Sequence, residues 1–172
     1  MRMRRLPFAA VIACAMWAPL PLSGAELLVD NKSADPLWRL SLKDGRRIGE
    51  FRTGDAPHEI AISPDGRTAV VTNYGSVKSG NTLSVLDLVG GRPTRHVDLG
   101  QHSAPHGLRF LSDGRRVVAT TEASASVLVV DVEAGEVLKA IDVGDGTGHM
   151  LALSPDERSA YVTKIAAGTL SR

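Results

Sequence analysis

The sequence predicts an all-β chain, a β-propeller of four-stranded antiparallel blades with about three and a half blades present. Three observations predict it. First, one stretch occurs three times: Pro57-His58-Glu59-Ile60-Ala61-Ile62-Ser63-Pro64-Asp65-Gly66, then Pro105-His106-Gly107-Leu108-Arg109-Phe110-Leu111-Ser112-Asp113-Gly114, then Gly148-His149-Met150-Leu151-Ala152-Leu153-Ser154-Pro155-Asp156-Glu157. Its histidines stand 48 and 43 residues apart, a spacing typical of propeller blades. Second, each copy ends in turn chemistry: Pro64 presets φ and Gly66 accepts a left-handed backbone. Third, past residue 25 the apolar residues come in short runs of strand length, with no sustained 3.6-residue period.

The first 25 residues read as a signal peptide. Arg2, Arg4 and Arg5 make a basic start, residues 6–22 are mostly apolar, and Ser23-Gly24-Ala25 is a small-residue end. Cleavage after Ala25 is expected, which places the mature protein in the periplasm or outside the cell. Pro7, Pro19 and Pro21 argue against a membrane anchor in this run, so no span is expected after its removal. Cys14 is the only cysteine and lies inside the run, so the mature chain would form no disulfide. Val11-Ile12-Ala13-Cys14 loosely resembles a lipobox, which would instead anchor the protein by a lipid on Cys14. The better-formed Ser-Gly-Ala end favours release.

The remaining elements follow in order. Residues 26–31, 37–42 and 47–53 read as three strands, with a hairpin turn at Lys43-Asp44-Gly45-Arg46. Together residues 26–54 form a blade lacking its innermost strand, A. Residues 55–100 form a full blade, with strand B at 68–73, C at 82–88 and D at 93–99. Residues 101–144 form a second, with A at 106–111, B at 116–121, C at 126–132 and D at 137–143. Residues 145–172 start another. Consecutive apolar residues such as Val70-Val71 and Leu128-Val129-Val130 indicate sheets covered on both faces. An arc of this extent would leave two apolar blade faces uncovered, so the chain alone is expected to be marginal or aggregation-prone.

Composition excludes some classes of function. Of 20 basic residues three lie in the leader, leaving 17 against 19 acidic ones, a net charge near −2. That is no footprint for nucleic acid or an anionic membrane. Gly-x-Ser-x-Gly, Cys-x-x-Cys and His-Glu-x-x-His are all missing.

Tyr161-Val162-Thr163-Lys164 and Val70-Val71-Thr72-Asn73 resemble the motif of the YVTN/YncE-like repeat proteins, a WD40-like propeller class. Ser63-Pro64-Asp65-Gly66 and Val130-Asp131-Val132-Glu133-Ala134-Gly135 fit the same pattern. The resemblance implies an exported propeller, seven-bladed in full-length relatives, whose missing blades would be partners of this part. It fixes no activity, because fold does not determine function. The repeats drift from the pattern where Leu111-Ser112 replaces Ser-Pro and Glu157 replaces the turn glycine.

Blade topology puts His58, His106 and His149 at the start of strand A, on the face of the B–C loops beside the central channel. A ring of imidazoles at one height is a candidate ligand site, and the same three residues are the candidate metal ligands. Asn73, Tyr74, Thr121 and Glu122 end strand B on the same face and complete the candidate set. Glu59 is expected to point away from His58, because side chains alternate along a strand. His96 and His102 are expected at the surface. No cofactor is expected, the exception being a transition metal held by the histidines. Two functions remain open. One is a non-catalytic binding or scaffold module that meets a small molecule or a protein on the histidine face. The other is a lactonase-like hydrolase or metal-dependent enzyme at the channel mouth, since lactonase-type propellers also carry Pro-His before Ser-Pro-Asp-Gly.

Overall fold

A computed structural model describes residues 24–34, 36–90 and 94–172. The proposed leader up to residue 23, with Cys14, and the start of a strand at Pro93, lie outside the described residues.

Fourteen strands, and no helix, occur among the described residues. The first sheet holds β1 (Glu26–Asp30), β2 (Pro36–Ser41) and β3 (Arg47–Arg52) in that order. The second holds β4 (Pro57–Ile62), β5 (Thr68–Asn73), β6 (Thr82–Asp87) and β7 (Arg95–Asp98). The third holds β8 (Pro105–Phe110), β9 (Arg116–Thr121), β10 (Ser126–Asp131) and β11 (Glu136–Asp142). The fourth holds β12 (Gly148–Leu153), β13 (Ala160–Lys164) and β14 (Thr169–Ser171). Every pairing is antiparallel between sequence neighbours, so each sheet is a simple meander. The chain is a partial, open β-propeller, and the β5 and β9 bounds match the sequence reading.

Three apolar seams join the four blades. Leu37, Ala69, Val71 and Leu86 bind the first blade to the second. Val70, Leu83, Val97, Leu108, Ala119, Leu128 and their neighbours bind the second to the third. Val118, Val127, Leu151 and Val162 bind the third to the fourth. Val70 and Val71 thus face opposite seams from adjacent positions, which explains the unbroken apolar runs.

The A–B turns are tied by the residues the sequence singled out. Ser63 Oγ donates to Asp65 at 2.6 Å, and Asp65 in turn accepts the Arg67 N–H at 3.1 Å. Ser154 and Asp156 repeat this geometry at 2.6 Å. Glu157, in place of glycine, still adopts φ 57°. Its carboxylate accepts from the Ser112 N–H and hydroxyl at 2.6 and 3.0 Å, in the drifted turn of the neighbouring blade. The two departures from the repeat therefore complement each other.

A histidine row at the entrance of the inner strands

β4, β8 and β12 begin in the same unusual way. The residue before each strand has positive φ: Ala56 at 48°, Ala104 at 54° and Thr147 at 56°. Each strand then bulges. Pro57 pairs with Asn73 and Ile60 with Val71, so His58 and Glu59 together oppose Thr72. His106 and Gly107 likewise oppose Thr120, and His149 and Met150 oppose Thr163. The threonine hydroxyl accepts the N–H that the bulge frees: Glu59 N–H on Thr72 at 2.9 Å, Gly107 on Thr120 at 2.8 Å, Met150 on Thr163 at 3.1 Å. Here lies the physical reason for a threonine at this place in the Val-Thr motif: a bulge leaves an unpaired backbone donor, and a buried donor needs a partner.

The bulges bring the three histidines into one row. Ring centroids of His58 and His106 lie 4.1 Å apart, and those of His106 and His149 lie 3.9 Å apart. Gly107 permits this approach, since a Cβ there would stand 2.8 Å from the His149 carbonyl oxygen. Thr120 clamps the same carbonyl by donating its hydroxyl to it.

Glu59 corrects the alternation argument. Its carboxylate lies 3.9 Å from His58 Nδ1, on the histidine side, because the bulge interrupts alternation at that point.

Residues just past the ends of β1, β5 and β9 form a second chain over the row. Lys32 Nζ sits 4.7 Å from the centre of the Tyr74 ring. The Tyr74 hydroxyl donates to Glu122 Oε2 at 2.6 Å. Glu122 Oε1 meets His149 Nδ1 at 2.5 Å. Tyr74 also packs against His58 and edge-on to His106, at 5.3 and 5.9 Å.

Asn73 and Thr121 stand apart from this group. The Asn73 side chain is buried; it accepts the Gly54 N–H at 2.9 Å and donates to Thr82 Oγ1 at 2.8 Å, joining the first blade to the second. Buried Thr121 donates to the Ser126 carbonyl at 3.2 Å and accepts from Ser124. Both use their polar atoms within the fold. His96 is exposed on β7, whereas His102 is half-buried.

Electrostatics differ along the row. Burial, with the charges of His58 and His149 adding to it, lowers His106 to about 4, so it is neutral at pH 7. Burial and the Lys32 ammonium lower His58. Burial works to raise Glu122, but hydrogen bonds from Tyr74 and His149 outweigh it and hold this carboxylate below its ordinary range. Beside Glu59, burial pushes Asp30 up to about 7. Asp30, Lys32 and the true position of Glu59 were missed from sequence. Aligning Asp30-Asn31-Lys32 with Thr72-Asn73-Tyr74 as ends of strand B would have exposed the first two.

Ligating atoms gather in two triads that share His106: His58, Glu59 and His106, and His106, Glu122 and His149, each within 4.8 Å. Two grooves along the second–third and third–fourth blade seams, of about 280 and 620 Å³, have no histidine in their walls.

The fold and this row define a class: an open β-propeller arc whose inner strands begin in bulged histidines. No family model matches the chain, and no curated protein matches it in sequence. Among solved structures it is similar to the hydrazine synthase of Kuenenia stuttgartiensis, with TM-score 0.73 and 21% identity. The match covers 84% of this chain and 40% of that one, so the chain spans well under half of that protein's length. At this identity the likeness is one of fold.

Proposed function

We propose that the protein is an exported propeller of the YVTN/YncE-like kind, periplasmic or secreted, that works as a non-catalytic binding or scaffold module. Its ligand, a small molecule or a protein segment, would bind where His58, His106 and His149 meet Tyr74 and Glu122. The observation that carries this reading is the convergence of three imidazoles from three blades with a carboxylate and a phenol. Rigid bulged strands hold them, so little ordering would be needed on binding.

Two measurements test it. Intact mass of the exported protein should correspond to a chain starting at Glu26; a lipid on Cys14 would instead move it to a membrane surface. In a thermal-shift screen of metal-depleted protein against organic acids, sugars and peptides, at least one compound should raise Tm by a few degrees. A folded His58→Ala/His106→Ala variant should lose that shift. No shift with any compound overturns the reading.

One observation favours the hydrolase reading as a second. Glu122 on His149 Nδ1 is a carboxylate orienting an imidazole, the arrangement of a general base. Hydrolysis of simple lactones that is lost in His149→Gln would establish it.

A further inference from the structure

We propose that His106, Glu122 and His149 bind a divalent transition-metal ion, zinc fitting best, and leave one coordination position open for the ligand of the rim. This rests on the reading of the rim as a binding site. Two imidazoles and a carboxylate are a donor set of intermediate softness, suited to zinc or copper rather than calcium or magnesium. Their ligating atoms lie within 4.8 Å of one another.

Four further features point to a cation at this triad. His106 is 4% exposed, and its Nδ1 is buried without a hydrogen-bond partner. A buried polar nitrogen without a partner is costly unless something meets it. Second, Tyr74 donates to the Glu122 oxygen that faces away from His149, as outer partners of metal-bound carboxylates do. Third, backbone bonds fix the imidazoles: Thr120 holds the Gly107 N–H and the His149 carbonyl. Fourth, the local charge suits a cation. The carboxylates of Glu59 and Glu122 border the row, and Lys32 lies over the Tyr74 ring beside it.

The test is a calorimetric titration of the metal-depleted full chain with Zn²⁺ alone, paired with the visible spectrum of the Co²⁺ form. One Zn²⁺ per chain is expected. Glu122→Gln and His149→Gln should each weaken it at least about 100-fold, and Tyr74→Phe about 10-fold, as for an outer partner. His96→Ala, on the outer strand β7, should leave it unchanged. The Co²⁺ spectrum of the unaltered protein should show four-coordinate bands, a readout that needs no variant to fold. Absence of stoichiometric Zn²⁺, or tight binding retained in folded Glu122→Gln and His149→Gln, overturns the proposal. If a screened compound binds metal-depleted protein while Zn²⁺ does not, the metal site falls and the binding rim stands. If neither binds, both fall.

Discussion

Asp30 stands where the other blades carry threonine. It pairs with Leu37 as Thr72 pairs with Leu83 and Thr120 with Val127, so the three positions are equivalent. Thr72 and Thr120 each accept a bulge N–H, but among the described residues β1 has no inner neighbour in its sheet to supply one. Both Asp30 oxygens are buried and without a hydrogen-bond partner. Burial, reinforced by the Glu59 charge, therefore keeps the proton on up to about pH 7. The sign follows. Unfolded Asp30 ionises near its ordinary value of 3.8, while the folded group stays protonated to about 7. Its contribution is thus intact below pH 4 and is lost as pH rises to 7. The loss is about 2–4 kcal/mol, after discounting for partial exposure. Asp30→Asn removes it. The stability of this variant relative to wild type, from denaturant titrations, should rise steadily between pH 4 and 7. A flat difference would show that Asp30 ionises normally.

At the scale of elements, the bulged inner strand is the unit that repeats. Thr72 and Thr120 are fully buried, whereas Thr163 is exposed. Thr120→Val would strand a buried Gly107 N–H and release the His149 carbonyl, at a cost of about 1–3 kcal/mol. Thr163→Val, with water at hand, should cost under about 0.5 kcal/mol. Equal losses in urea unfolding would refute the role given to Thr120. Much of this unit was legible in the sequence. Ser63-Pro64-Asp65-Gly66 carries its turn on its face, Val70-Val71 its two seams, and His58, His106 and His149 their shared place. The entrance to each strand was not legible. Ala56 and Ala104 adopt positive φ although alanine gives no sign of it, because tertiary contacts impose the conformation. A bulge adds one residue without changing composition, so the side Glu59 faces could not be read by alternation. Tyr74 and Glu122 were legible as neighbours of the row, but their hydrogen bond crosses blades 48 residues apart in sequence.

At the scale of the molecule, the arc has two ends. Among the described residues the inner edge of β1 is unpaired within its sheet, and β14 is the outermost strand of the fourth blade. Apolar side chains in these end blades remain in water: Leu27 is 47% exposed, Tyr161 36% and Leu170 63%. Full burial of a large apolar side chain contributes about 1.5–3 kcal/mol. Three partly exposed ones therefore forgo several kcal/mol, against a typical domain stability of about 5–15 kcal/mol. Open strand edges beside such surface favour pairing with another chain. The 172-residue chain on its own should therefore self-associate, with a sedimentation coefficient that rises with concentration and a broad thermal transition. Leu170→Lys puts a charge on the exposed β14 edge and should raise the monomer fraction without lowering Tm, because that side chain is already mostly in water. A wild-type chain that stays monomeric at every concentration and unfolds sharply at high temperature would overturn this account of the arc.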